Sequence, residues 1–182
     1  MNFKLNTVVA FLFIIFPSFL FAQKIDTTAI IEYIKQYKNI SIEEMNRTGV
    51  PASITLAQGI HESGFGKSYL AKNTNNHFGI KCKAEWKGKT FKYTDDAPNE
   101  CFRVYDNVEE SYKDQSDFLK NRAHYAPLFL LDKYDYKGWA YGLKKAGYAT
   151  NPKYPQILIK LIDDFQLYAF DKNQNQTYLS ST

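Results

Sequence analysis

The sequence is poor in metal-ligating residues. Its 182 residues include two cysteines and three histidines, and none falls in a spacing that builds a ligand set. No metal or organic cofactor is expected. There is no dense Lys/Arg cluster and no nucleic-acid signature, which argues against a nucleic-acid partner. The formal charge of +4 is a mild basic bias that suits an anionic polymer or surface. No internal repeat, long linker or low-complexity block interrupts the chain, so it reads as one domain. Aromatics, by contrast, are plentiful, with 14 Tyr and 14 Phe. Most serve packing, but exposed Tyr and Trp also stack on the faces of sugars or bases, so some are candidates to line a groove.

The first 22 residues read as a signal peptide. Lys4 precedes "TVVAFLFIIFPSFLFA", an apolar run that ends in Ala22, a small residue at a cleavage point. Pro17, Ser18 and the shortness of the run weigh against a retained anchor, so no stable membrane anchor is expected after cleavage. The mature chain would start near Gln23 and act in the periplasm or outside the cell. Cys82 and Cys101 both lie in the mature part, where an oxidising compartment favours a disulfide over two free thiols.

The mature part reads as mostly helical α+β. Residues 26–38 form a first expected helix, with Ile30, Ile31, Ile34 and Tyr37 on one side. Ser41 and Glu44 fit a capping box for a short second helix over 42–48. Pro51 and Gly64 suit the start and end of a third, and 67–72 a further helical turn. Between about 76 and 105, "KGKTFKYTDDAPNECFRVYD" reads as one or two hairpins with "DDAPNE" as a loop. A Cys82–Cys101 bridge would pin that small sheet. Helices resume with Asn107 as a cap and a stripe of Val108, Tyr112, Gln115, Leu119 and Arg122. Asp135 caps the next helix and Gly147 ends it. Asn151-Pro152 opens a last long helix. From Asp171 the polar sequence reads as a fraying tail, 171–182.

One stretch carries the chemistry. In "AQGIHESGFGKS" a largely apolar helix ends on Glu62. Thr55, Gln58 and Glu62 fall on one stripe of a helix whose other faces are apolar, so that stripe must meet solvent, a cleft or a polar network. The negative end of the helix dipole disfavours a carboxylate there, and partial burial acts in the same direction. Such a place suits a general acid that stays protonated near neutral pH.

"ASITLAQGIHESGFGKSYLA", "NNHFGIK", "WKG", "FRVYDNVEESYKDQSDFL" and "AGYATNPKY" follow in order over about residues 50–170. Together they resemble the glucosaminidase domain of glycoside hydrolase family 73, bacterial endo-β-N-acetylglucosaminidases that cut peptidoglycan. The resemblance implies a lysozyme-like domain over 23–170, with a helical lobe and a small β-hairpin lobe flanking a substrate groove. It implies that Glu62 is the general acid, protonating the glycosidic oxygen as the sugar leaves with oxocarbenium character. A second acid is sought in the β lobe, where the family varies: Asp95, Asp96 and Glu100 are the candidates, the Asp95–Asp96 stretch matching best, and assistance by the substrate's own N-acetyl group is the alternative. Tyr148 matches a tyrosine placed near the catalytic Glu. Where many members have Asp, this chain has Asn151, a change of little consequence for capping.

Gln58, Asn75, Asn76, Phe78 and Trp86 are the candidate substrate-binding residues. Asn75 and Asn76 offer amides to sugar hydroxyls or N-acetyl groups, and Trp86 a stacking face. His61, His77 and His124 lack supporting partners and are left out. The expected protein is a monomeric, exported enzyme acting on peptidoglycan glycan strands. A muramidase or lytic transglycosylase of the same fold, and a catalytically weak glycan-binding protein, are the alternatives.

Overall fold

The computed structural model describes residues 26–95 and 97–172. The expected signal peptide and Asp96 lie outside the described residues. Helix α1 spans Thr27–Thr48, α2 Ala52–Glu62 and α3 Tyr69–Thr74. Strands β1 (Thr90–Tyr93) and β2 (Glu100–Arg103) follow, then α4 (Val108–Lys120), a 3-10 helix over Ala123–Leu130, α5 (Tyr136–Lys145), α6 (Tyr154–Asp164) and α7 (Ala169–Lys172). Among the described residues, no helix is long and apolar enough to cross a membrane.

The two helices expected over 26–48 are one. No Gly or Pro breaks the turn around residue 40, and Ser41 satisfies its hydroxyl by donating to Tyr37 O at 2.9 Å inside the helix. Glu44 pairs with Arg47 instead of closing a capping box. The inward stripe of α1 runs through Ile30, Tyr33, Tyr37 and Met45, and Ile31 is turned outward.

Helix α2 is the axis of the helical lobe. Every residue from Ala52 to Ile60 is buried, and the helix packs against α1, α5, α6 and α7. Gly59 makes the approach to α1 and α4 possible, because a Cβ there would lie 2.5 Å from Tyr33 Oη and 2.9 Å from Tyr112 Oη. Those hydroxyls are 2.7 Å apart, and Tyr33 Oη lies 2.9 Å from His77 Nδ1. Burial pushes the His77 pKa down to about 4, so this imidazole is a neutral core group.

Pro51 supplies no side-chain cap for α2. The cap comes from the other end of the chain: Ser53 N donates to Asp171 Oδ1 at 2.8 Å, and Ser53 Oγ to Asp171 Oδ2 at 2.6 Å. The expected start of a fraying tail at Asp171 is therefore corrected, since that residue is 1% exposed within α7.

The β lobe is a single antiparallel hairpin with Phe91 opposite Phe102 and Lys92 opposite Cys101. The Cys82–Cys101 disulfide is formed. It does not clamp the ends of the hairpin. It fastens the segment before it alongside β2, where Cys82 N donates to Cys101 O at 2.7 Å and Arg103 N to Ile80 O at 3.0 Å. A two-stranded ribbon is marginal alone, and closing a loop of this size is worth about 3 kcal/mol in the chain-entropy model.

Candidate active site

A cleft of about 610 Å³ separates the end of α2, α4 and residues 148–154 from α3 and the β lobe. Glu62 stands at its surface. The helix carries it there because α2 ends at Glu62, and Gly64 (φ 54°) turns the chain so that Phe65 N donates back to Ile60 O at 2.8 Å. Solvent reaches the carboxyl from the cleft, and protein crowds it on the other sides. Loss of hydration raises its pKa to about 7, Asp95 adds to the rise as a like charge, and a hydrogen bond from Tyr154 opposes it.

Behind Glu62 lies a buried polar chain. Tyr154 Oη donates to Glu62 Oε1 at 2.9 Å. Gln58 Nε2 donates to Tyr154 Oη at 3.2 Å. Gln115 Nε2, reaching from α4, donates to Gln58 Oε1 at 3.2 Å and to Tyr148 Oη at 2.9 Å. The rings of Tyr148 and Tyr154 stack with centroids 5.6 Å apart. Burial holds both phenols well above their ordinary pKa, so they remain protonated donors. Glu62 Oε2 has no hydrogen-bond partner among the described residues.

The cleft gathers some of the expected residues and not others. Glu62, Tyr148 and Phe78 line it, and Asp95 lines it from the turn after β1. Glu100 does not serve there: it pairs with Lys81 at 2.6 Å and accepts from Ala97 N, holding the hairpin turn. Gln58 is fully buried and lies behind the wall. Asn76 is 1% exposed, with Nδ2 donating to Ile80 O and Arg103 O and Oδ1 accepting from Ile80 N, so its amide has nothing left for a sugar. Asn75 ends α3 in the left-handed region and donates to Tyr105 O. Trp86 packs away from the cleft, edge-on to Tyr105, beneath the Arg103 guanidinium and donating to Lys89 O.

Other residues were not singled out by sequence reasoning. Tyr154 lies inside the quoted "AGYATNPKY", six residues beyond the tyrosine chosen for this role. Gln115 showed a faint signal, a polar residue on an otherwise buried stripe. Tyr69 is 59% exposed at the cleft and stacks with Tyr93 at 5.7 Å, forming an aromatic shelf. Lys83 and Arg122 add positive charge to the rim. His61 faces the cleft beside the Tyr154 ring, and burial lowers its pKa. Among the described residues, no group of three His, Cys, Asp or Glu could hold a metal.

Such a cleft, with one crowded carboxyl and a second across from it, can donate a proton to a bound ether oxygen and stabilise positive charge nearby. Comparison with known proteins agrees with that chemistry. Residues 38–167 match the family model Glucosaminidase, described as mannosyl-glycoprotein endo-beta-N-acetylglucosaminidase. Peptidoglycan hydrolase FlgJ of Vibrio cholerae is 29% identical over 154 residues, covering 75% of this chain and 45% of that protein. Exo-glucosaminidase LytG of Bacillus subtilis is 32% identical over 133 residues, covering 66% of this chain and 46% of that one. The chain thus spans less than half the length of these two relatives. Among solved structures, a peptidoglycan hydrolase from Sphingomonas sp. A1 superimposes with a TM-score of 0.67 at 28% identity, covering 83% of this chain and 99% of that one. The glycoside hydrolase domain of Salmonella typhimurium FlgJ gives 0.64 at 28% identity, covering 77% and 90%. The chain belongs to the glucosaminidase family, glycoside hydrolase family 73.

Proposed function

We propose that this protein is an exported peptidoglycan hydrolase, an endo-β-N-acetylglucosaminidase that cuts the glycan strand after N-acetylglucosamine. The observation that carries the reading is Glu62: a carboxyl at a cleft, with a pKa of about 7, one oxygen anchored by Tyr154 and the other without a partner among the described residues. Half of such groups are protonated at neutral pH, and a general acid works best when its pKa lies near the working pH.

In this reading Glu62 gives its proton to the glycosidic oxygen. The bond from that oxygen to C1 of N-acetylglucosamine breaks, the released sugar takes the proton as a hydroxyl, and positive charge develops at C1. Asp95, across the cleft, stabilises that charge, and water adds to C1 with its proton passing to the Asp95 carboxylate. The Tyr69–Tyr93 shelf offers a flat face to a neighbouring sugar. The apolar leader and the likeness to the peptidoglycan hydrolase FlgJ support action in the periplasm or outside the cell.

Mass spectrometry of digested, purified peptidoglycan tests this. New reducing ends should be N-acetylglucosamine on internal fragments, and Glu62→Gln should lose about 10²–10⁴-fold in rate while staying folded. Reducing N-acetylmuramic acid would instead identify a muramidase, and anhydromuramic ends a lytic transglycosylase. Release of disaccharides from chain ends alone would make the action exo. Binding without any cleavage would leave a glycan-binding protein.

A further inference from the structure

The polar chain behind Glu62 has a direction. An amide nitrogen only donates and an amide oxygen only accepts. Gln115 spends Nε2 on Gln58 Oε1 and Tyr148 Oη. Gln58, with its oxygen occupied, presents Nε2 to Tyr154 Oη. Tyr154 then receives one proton and gives its own to Glu62 Oε1. Turning only the Gln58 amide around would set its Nε2 against Gln115 Nε2, donor against donor. Turning both would make Tyr154 donate to Gln58 and leave an ionised Glu62 with no donor. Gln58 and Gln115 are 0% and 2% exposed, so water does not readily replace a lost partner.

We propose that Gln115 and Gln58 are positioning residues that fix the polarity of this chain. Tyr154 is thereby kept as a donor to Glu62 Oε1, and the acid's proton is held on Oε2, the oxygen with no partner among the described residues. The role assigned to the proton rests on Glu62 being the general acid; the polarity itself does not. Gln58, expected to touch substrate, acts here through Tyr154, and Gln115 of α4 acts on the carboxyl from three hydrogen bonds away.

The test is the ¹³C NMR titration of the Glu62 carboxyl in the full chain, comparing the parent with Gln115→Met and Gln58→Met. Methionine keeps the volume and removes the donors. Freed of its fixed orientation, Gln58 can accept from Tyr154, and Glu62 loses the donor that favours its ionised form. Gln115→Met should titrate higher than the parent by about half a pH unit or more, with kcat down about tenfold and KM little changed, whereas Gln58→Met removes the competing acceptor together with the donor and should keep the parent midpoint. If Gln115→Met does not fold, Gln115→Asn is used. It keeps an amide one methylene short of Gln58, so the same rise is expected. A folded Gln115 variant with the parent midpoint overturns the proposal, even if its activity has fallen, because packing damage alone would do that. A rise in Gln58→Met without one in the Gln115 variant also overturns it, since the chain would then stop at α2. The titration needs no turnover. Failure of the acid reading would appear separately, as full activity in Glu62→Gln.

Discussion

A carboxyl stands at each end of helix α2, Glu62 on the helix itself and Asp171 reaching in from α7, and the two are used differently. At its N-terminus Asp171 accepts from Ser53 N with one oxygen and from Ser53 Oγ with the other. At its C-terminus Glu62 has one oxygen bound by Tyr154 and the other without a partner among the described residues. Burial raises both, Asp171 to about 6 and Glu62 to about 7, so at neutral pH the first is mostly ionised and the second half protonated. The dipole favours negative charge at the first end and opposes it at the second. A carboxyl that holds structure has both oxygens satisfied; one placed for proton transfer keeps an oxygen available and sits where its charge is disfavoured.

Substitutions along this axis should separate the two roles. After the loss of rate in Glu62→Gln itself, the largest effect is expected from Asp95→Asn, which changes only the surroundings of the C-terminal end. It should lower kcat by about 10²-fold and move the alkaline limb of the pH–rate profile to lower pH, because Glu62 ionises more easily without a like charge nearby. Its melting temperature should not change, as Asp95 is exposed. Gly59→Ala strikes the middle of the helix, where the new methyl meets Tyr33 and Tyr112. It should cost about 1–3 kcal/mol in denaturant unfolding. Asp171→Ala removes the cap and should cost about 1–2 kcal/mol, with the alkaline limb unmoved; a moved limb would break the distinction between the two ends. Smallest, and of opposite sign, is the effect of Glu62→Gln on stability. The folded pKa of Glu62 lies above its ordinary 4.5, so its contribution is fully present below pH 4.5 and is lost as pH rises through 7. The amide escapes that loss. The variant should be more stable above neutral pH by up to about 1 kcal/mol, reduced by solvent access to the cleft, and the gain should vanish below pH 4.5.

The carboxyl at the C-terminal end of α2 was legible in the sequence and the one that caps its N-terminal end was not. Glu62 showed itself as a charge at the end of an apolar helix followed by two glycines, a local pattern. The Cys82–Cys101 pair and the caps at Asn107 and Asp135 were equally local. Asp171 caps a helix 118 residues away, and no local pattern encodes that partner. Pro51 leaves the cap empty, which was the only hint. The same reason hides the Tyr154–Gln58–Gln115 chain, whose members come from three helices that meet only in the fold. Local signals also misled where tertiary packing overrode them. Ser41 and Glu44 read as a capping box but lie inside α1, and Asn76 and Trp86 read as ligand contacts but are committed to backbone and to Arg103.

The central claim is that Glu62 works as an acid and must be protonated to do so. The pH dependence of kcat/KM on purified peptidoglycan tests it most directly. With a pKa of about 7 in the free protein, kcat/KM should have fallen by half near pH 7 and should drop about tenfold per pH unit above it. A kcat/KM that holds level from pH 6 to pH 9 would contradict the claim.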